Sequence, residues 1–77
     1  MTANVVLKNR EDVENLNKVA SRQDFDLSVS CGSVIVDARS LLALFTLIGS
    51  RVSIVAPDGV SPKEFMKSIK KMNLDED

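Results

Sequence analysis

The sequence predicts an α+β domain in which a four-stranded antiparallel sheet carries three helices on one face, with the element order β-α-β-β-α-β-α. The chain has 77 residues, which is enough for one domain, 1–77, and too few for two. Four short runs are rich in β-branched residues or alternate apolar with polar residues, which is typical of strands with one buried face. Three other runs repeat apolar residues at helical spacing.

The first two predicted elements are a strand at residues 4–8 and a helix at residues 10–22. Asn9 lies between them and is a favourable helix N-cap. Glu11 and Asp12 place carboxylates in the first turn, near the positive end of the helix dipole. Because the apolar residues of this segment recur on one side, we expect an amphipathic helix that packs on the sheet.

A hairpin is predicted next. Residues 25–29 alternate apolar and polar side chains, and residues 33–37 form a second β-rich run. Residues 30–33 are the expected tight turn between them, in which Gly32 supplies a positive φ. The register that places the apolar residues on one side of the sheet pairs Val29 with Val34 and Leu27 with Val36.

The second half predicts two helices around a strand. Ser40 is the expected N-cap of a helix at residues 41–48, which Gly49 ends. Residues 51–56 predict a strand, and residues 57–59 predict a turn. Ser61 begins a capping box for a third helix, whose apolar stripe contains Phe65, Met66, Ile69 and Met72. We expect the acidic residues 75–77 to form a frayed, solvated end.

The amino-acid composition excludes several classes of function. Ten basic residues against eleven acidic ones give a net charge of −1, so there is no basic excess for binding nucleic acid. The chain has no histidine, which removes the commonest general base and metal ligand. The single cysteine, Cys31, cannot form an intramolecular disulfide, and no signal peptide or membrane-spanning run is visible. We therefore expect a cytoplasmic protein.

No residue pattern indicates catalysis. Cys31 is predicted to lie in the hairpin turn without a neighbouring base or cation to activate it. Asp24 and Asp26 flank Phe25 but lack the further ligands that a metal site requires. The three glycines form no phosphate-binding loop. We expect no catalytic residue, no cofactor and no metal.

The predicted helix at residues 41–48 has an unusually wide apolar surface. At about 100° per residue, its main stripe contains Leu41, Leu44, Leu47 and Ile48. Leu42 and Phe45 lie beside that stripe and widen it beyond what a surface helix needs. If the helix turns Leu44, Leu47 and Ile48 to the core, then Leu42, Phe45 and part of Leu41 form an exposed patch that marks a partner site. The alternative is that strand loops or the first helix cover these side chains.

The element order and the segment Val34 to Leu47, VIVDARSLLALFTL, resemble HPr, the histidine-containing phosphocarrier of the bacterial sugar phosphotransferase system. The similarity runs over residues 25–59 and includes a basic residue before a serine, a short apolar helix and the strand that follows. The rest of the chain fits by element order. The resemblance implies the HPr-like open-faced β-sandwich.

The phosphate-accepting site of that family is missing from the sequence. In HPr, a histidine between the first strand and the first helix takes a phosphoryl group from enzyme I and passes it to sugar transporters. Here the junction, residues 8–12, is shorter and contains no histidine. Glu11 and Asp12 meet the helix end that would receive the phosphate. Phosphocarrier chemistry is therefore not expected.

Two other family features are retained. Ser40 aligns with the serine that a dedicated kinase phosphorylates in HPr of Gram-positive bacteria, which makes it a candidate regulatory phosphorylation site. Leu41, Leu42 and Phe45 align with the helix surface on which HPr docks its partners, and Arg39 precedes them as a further partner-binding candidate.

The sequence thus predicts a non-enzymatic, HPr-like protein-binding module that is regulatory or accessory to sugar uptake and carbon metabolism. It is expected to bind a protein partner through the second helix and to bind neither nucleic acid nor membrane, and Ser40 makes it a candidate substrate of a serine kinase. One alternative is a phosphotransfer protein with an unidentified acceptor. The other is a structural interaction domain unrelated to sugar transport.

Overall fold

The computed structural model describes residues 1–77 and confirms the α+β class, with three helices on one face of an open antiparallel sheet. The sheet has five strands rather than four, in the spatial order β3-β2-β4-β1-β5. In chain order the elements are β1 (Thr2–Val6), α1 (Arg10–Ser21), β2 (Ser28–Cys31), β3 (Val34–Asp37), α2 (Leu41–Phe45), β4 (Arg51–Val55), α3 (Pro62–Met72) and β5 (Asp75–Glu76).

The core is a single cluster of 17 buried apolar residues between the sheet and the helices. Alternate strand residues point into it, as the period-two pattern requires. α1 contributes a regular stripe, and α3 contributes its apolar side. The largest fully buried side chains are Phe65, Leu7, Leu16, Leu27, Leu44, Ile54 and Met72.

Two helix starts form as their sequences predict. The side chain of Asn9 accepts a hydrogen bond from the Asp12 N–H at 3.0 Å, which caps α1. The hydroxyl of Ser61 accepts one from the Glu64 N–H at 3.1 Å, which caps α3. On α3 the predicted stripe is wrong at one position: Met66 is 46% exposed, and the buried side is completed by Ser68. Ser68 is tolerated there because its hydroxyl donates to the Glu64 carbonyl at 3.0 Å.

The hairpin differs from its predicted register by two residues. Val29 pairs with Val36, and Cys31 pairs with Val34. The predicted pairing is wrong because the turn is two residues long rather than four: Gly32, with φ of 61°, is its first central residue and Ser33 its second. Cys31 therefore ends β2 and is not in the turn. A shift of two residues keeps each side chain on its face, so Leu27 and Val29 are buried as the pattern indicates.

The acidic C-terminal segment is ordered, so the prediction of a frayed end is wrong. β5 pairs with β1 through Val5–Glu76 and Val6–Asp75, and the Asp77 N–H donates to the Asn4 carbonyl at 3.0 Å. Ion pairs fix the segment on both sides. Lys8 Nζ lies 3.2 Å from Asp75 Oδ2, and Arg51 Nε lies 3.3 Å from Asp77 Oδ1.

Candidate partner-binding surface

α2 is shorter than predicted and ends in a tightened turn. The helix stops at Phe45 instead of Ile48, and the following residues form bonds of the i to i−3 type. The Leu47 N–H donates to the Leu44 carbonyl at 3.0 Å, and the Gly49 N–H donates away from the helix, to the Leu7 carbonyl at 2.6 Å. The chain tightens because Gly49, with φ of 91°, must reach the end of β1.

The tightening changes which residues of this segment are buried. Leu44 and Leu47 lie in the core with 0% and 6% exposure, as the stripe predicts. Ile48 was expected beside them but is 40% exposed, because the tighter turn rotates it away from the core. Leu42 is 80% exposed, the highest value among the large apolar side chains that the surface shows.

The first helix covers part of the predicted patch. Phe45 is half-buried, and the Arg10 guanidinium of α1 lies 6.0 Å from the centre of its ring, a cation–π distance. Leu41 is also half-buried and packs on the core cluster. The exposed apolar surface, called the α2 patch below, therefore consists of Leu42, its most exposed member, and the less exposed Leu41, Phe45 and Ile48.

Ser40 precedes α2 but does not cap it. Its hydroxyl makes no capping hydrogen bond, so that prediction is wrong. The reason is backbone geometry. Ser40 has ψ of 94°, whereas the capping residues Asn9 and Ser61 have ψ of 179° and 145°. Ser40 is exposed, and its hydroxyl is free beside the α2 patch.

Arg39, next to Ser40, is held by two carboxylates. Its guanidinium forms an ion pair with Asp26, and its Nε lies 3.6 Å from Asp37 Oδ1. The Arg39 N–H also donates to Asp37 Oδ1 at 2.8 Å. Asp26 therefore pairs with Arg39 and does not form a cation site with Asp24. The positive charge of Arg39, beside Ser40, is already balanced by carboxylates.

The junction between β1 and α1 is closed by a buried carboxylate. Asp12 is 6% exposed, and its Oδ2 accepts from the Lys8 backbone N–H at 2.9 Å and from Lys8 Nζ at 3.0 Å. The hydrogen bond to Asp12 raises the pKa of Lys8 above its usual 10.5, and the neighbouring Asp75 adds to that rise. A negative charge thus already occupies the positive end of α1.

The remaining surface shows two further concavities beside α3. The larger, of about 530 Å³, is lined by Asn15, Lys18, Val19, Arg22, Gln23 and Lys71. The smaller, of about 260 Å³, is lined by Arg22, Gln23, Asp24, Phe25, Glu64, Lys67, Ser68 and Lys71. Neither contains a residue predicted for the partner site. The structure contains no cluster of three or more His, Cys, Asp or Glu side chains that could bind a metal ion. None of the helices has the length and apolar character that crossing a membrane requires.

Together, the open antiparallel sheet, the three helices on one face and the short apolar α2 define the HPr-like fold. The chain is similar to the crystal structure of HPr-C-His from Thermoanaerobacter tengcongensis, with a TM-score of 0.71 over 94% of this chain and 89% of that one. The two sequences are 19% identical, so the likeness establishes the fold. No protein-family model and no curated protein matches the sequence.

Proposed function

We propose that the protein is a non-enzymatic, HPr-like protein-binding module that is regulatory or accessory to the phosphotransferase system and carbon metabolism, and that it is not a histidine phosphocarrier. The observation that carries the proposal is the contrast between two neighbouring sites. The α2 patch is exposed where the HPr resemblance places a docking surface, with Leu42 80% exposed. The junction where that family carries its phosphate acceptor is closed by Asp12.

The chemistry at the junction argues against phosphoryl transfer. The chain has no imidazole to accept a phosphoryl group. A phosphate approaching the start of α1 would meet the Asp12 carboxylate, which already accepts the Lys8 N–H and ammonium hydrogen bonds. The negative charges of the phosphate and of the Asp12 carboxylate would repel each other. Displacing Lys8 from Asp12 would leave a buried carboxylate unpaired.

The α2 patch argues for a protein partner. Leu42 is 80% exposed, and a partner that removed its side chain fully from water would stabilise the complex by about 2 kcal/mol. The exposed guanidinium of Arg10, which lies over Phe45, borders the patch with a group that a partner carboxylate can contact. Exposed apolar centres with polar borders are typical of protein interfaces.

Capture of partners from the native cytoplasm tests this function. We expect the wild-type chain to retain proteins of sugar uptake or carbon metabolism, and Leu42→Asp to lose them. Met66→Asp is the matched control, because Met66 is an exposed apolar residue on a different helix. Retention of the same proteins by Leu42→Asp would contradict the proposal. Retained proteins unrelated to sugar metabolism would favour a structural interaction domain.

Phosphotransfer is tested directly with enzyme I and labelled phosphoenolpyruvate. We expect no stable label on this chain under conditions that label an authentic HPr. An acid-labile phosphoryl group on the chain would contradict the proposal and favour a phosphotransfer protein with another acceptor. Mapping that group would then identify the acceptor.

Ser40 is the proposed regulatory site of the same module. Its hydroxyl is exposed and makes no capping bond, so a kinase can reach it without breaking α2. A phosphate there would add about two negative charges beside Leu42 and compete with Asp26 and Asp37 for Arg39. Treatment with a serine-specific HPr kinase, followed by mass spectrometry, is the test. An unmodified Ser40 beside a labelled authentic HPr would remove the regulatory role.

A further inference from the structure

The two edges of the sheet differ in how they are protected. The β5 edge carries the carboxylates of Asp75 and Glu76, and charges of this kind discourage pairing with another sheet. The β3 edge begins with Val34, Ile35 and Val36 and has no charge before Asp37. Ile35 is 71% exposed and Val34 is 49% exposed. An uncharged apolar edge of this kind is open to a further strand.

The hairpin geometry shows which backbone groups of β3 are free. Cys31 and Val34 flank a two-residue turn, so they form a hydrogen-bonded pair. The Ala38 N–H donates to the Leu27 carbonyl at 3.0 Å, which continues the same alternation four residues later. The even-numbered residues Val34, Val36 and Ala38 therefore point their N–H and C=O groups toward β2. Ile35 lies between them in the alternation, so its N–H and C=O point outward from the edge.

We propose that β3 pairs antiparallel with β3 of a second copy of this chain, about a two-fold axis at Ile35. In this register, Ile35 faces Ile35 of the second copy and the two exchange both outward hydrogen bonds. Val34 lies opposite Val36 of the second copy on the helix-covered side. The two five-stranded sheets become one continuous sheet of twice that width.

The edge is complementary to itself in charge as well as in hydrogen bonding. No charged residue lies at the axis, and each Asp37 falls opposite Ser33 of the second copy rather than opposite another carboxylate. Pairing with the β5 edge would instead bring β3 against Asp75 and Glu76. β3 has only four residues, so the contact is small and the expected dimer is weak and concentration-dependent.

Cysteine cross-linking tests the register. In a Cys31→Ser background, Ile35→Cys places two thiols on a hydrogen-bonded antiparallel pair, where Cα atoms are about 5.5 Å apart and a disulfide fits. Val34→Cys is the matched control, because Val34 is on the same edge but faces Val36 of the second copy. We expect the Ile35→Cys chain to form cross-linked dimers several-fold faster than the Val34→Cys chain under the same mild oxidant.

Sedimentation over a range of concentrations gives an independent readout. We expect the wild-type dimer fraction to rise with concentration and Ile35→Lys to abolish that rise, while circular dichroism stays unchanged because the β2 side of β3 is untouched. Equal cross-linking at positions 34 and 35 would overturn the proposal. So would self-association that Ile35→Lys leaves intact, a wild-type chain that stays monomeric at its highest soluble concentration, or occupation of β3 by an extended segment of another protein.

Discussion

The starts of α1 and α2 each follow a polar residue but differ in structure. Asn9 precedes α1, and Ser40 precedes α2. At α1, the Asn9 side chain binds the Asp12 N–H and the Asp12 carboxylate binds Lys8, so the start is closed. At α2 the Ser40 hydroxyl makes no capping bond, and no acidic residue lies in the first turn.

The two starts thus differ in whether their polar side chains are engaged in hydrogen bonds. The closed start of α1 uses its polar groups for stability, because every buried polar side chain there has a partner. The start of α2 uses none of its side chains in this way and is held by Leu44 in the core. A surface that stability does not require is free to serve a partner.

The largest expected effect comes from removing the residue that anchors α2. Leu44→Asp should lower the free energy of unfolding by about 3–5 kcal/mol, because it buries an unpaired charge at a position that is 0% exposed. Leu42→Asp should cost within about 1 kcal/mol, because Leu42 is 80% exposed. Phe45→Asp should fall between them, since α1 covers part of its ring. Urea denaturation measures all three, and equal losses would mean that the α2 patch is core.

Opening the start of α1 should have the next largest effect. Asp12→Ala removes the acceptor of the Lys8 N–H and ammonium bonds and should cost about 1–3 kcal/mol. Asp12→Asn keeps one oxygen acceptor and is the conservative control, for which we expect a smaller loss. Chemical denaturation at neutral pH checks the order. If Asp12→Ala is as stable as the wild type, the carboxylate does not close the junction.

A pair of cap substitutions compares the two starts directly. Asn9→Ala should cost about 1 kcal/mol, because it removes an observed capping bond. Ser40→Ala should change stability by less than about 0.5 kcal/mol, because Ser40 makes no such bond. Thermal unfolding of the two variants side by side is sufficient. A Ser40→Ala loss as large as that of Asn9→Ala would show that Ser40 caps α2 in solution.

The smallest expected effect is a dependence on alkaline pH. Because the hydrogen bond to Asp12 raises the pKa of Lys8 in the folded state, the protonated ammonium of Lys8 stabilises the folded protein. Its contribution is complete below the unfolded value of about 10.5 and is lost as the pH rises through the higher folded value. The stability of the wild type should therefore fall more steeply above pH 10.5 than that of Lys8→Gln. Lys67→Gln, at a lysine without an ion pair, should follow the wild type.

Local sequence signals predicted the parts of the fold that depend on neighbouring residues. The caps at Asn9 and Ser61, the turn at Gly32 and the buried alternation of the strands all follow from residue type and spacing. The early end of α2 did not follow, because it depends on the bond from Gly49 to Leu7 across the chain. The exposure of Ile48 is a consequence of that same bond, so periodicity alone placed it on the wrong side.

In the candidate site, too, the sequence predicted the features that depend on local residues and missed those that depend on contacts between elements. Periodicity identified Leu42, whose exposure depends only on the direction of a helical residue. It did not indicate that Arg10 covers Phe45, because that contact joins two helices. Nor did it indicate that Ser40 leaves α2 uncapped, since residue type favours a cap whereas the ψ angle is set by the preceding turn at Asp37.

The pairing of β5 with β1 also has a consequence for how the domain forms. β5 is held to β1 by only two residue pairs, together with the bond from the Asp77 N–H to the Asn4 carbonyl and two ion pairs at exposed side chains. β5 should therefore be the last strand to dock and the first to detach, so that the amide of Asp77 exchanges with solvent while the other four strands stay folded.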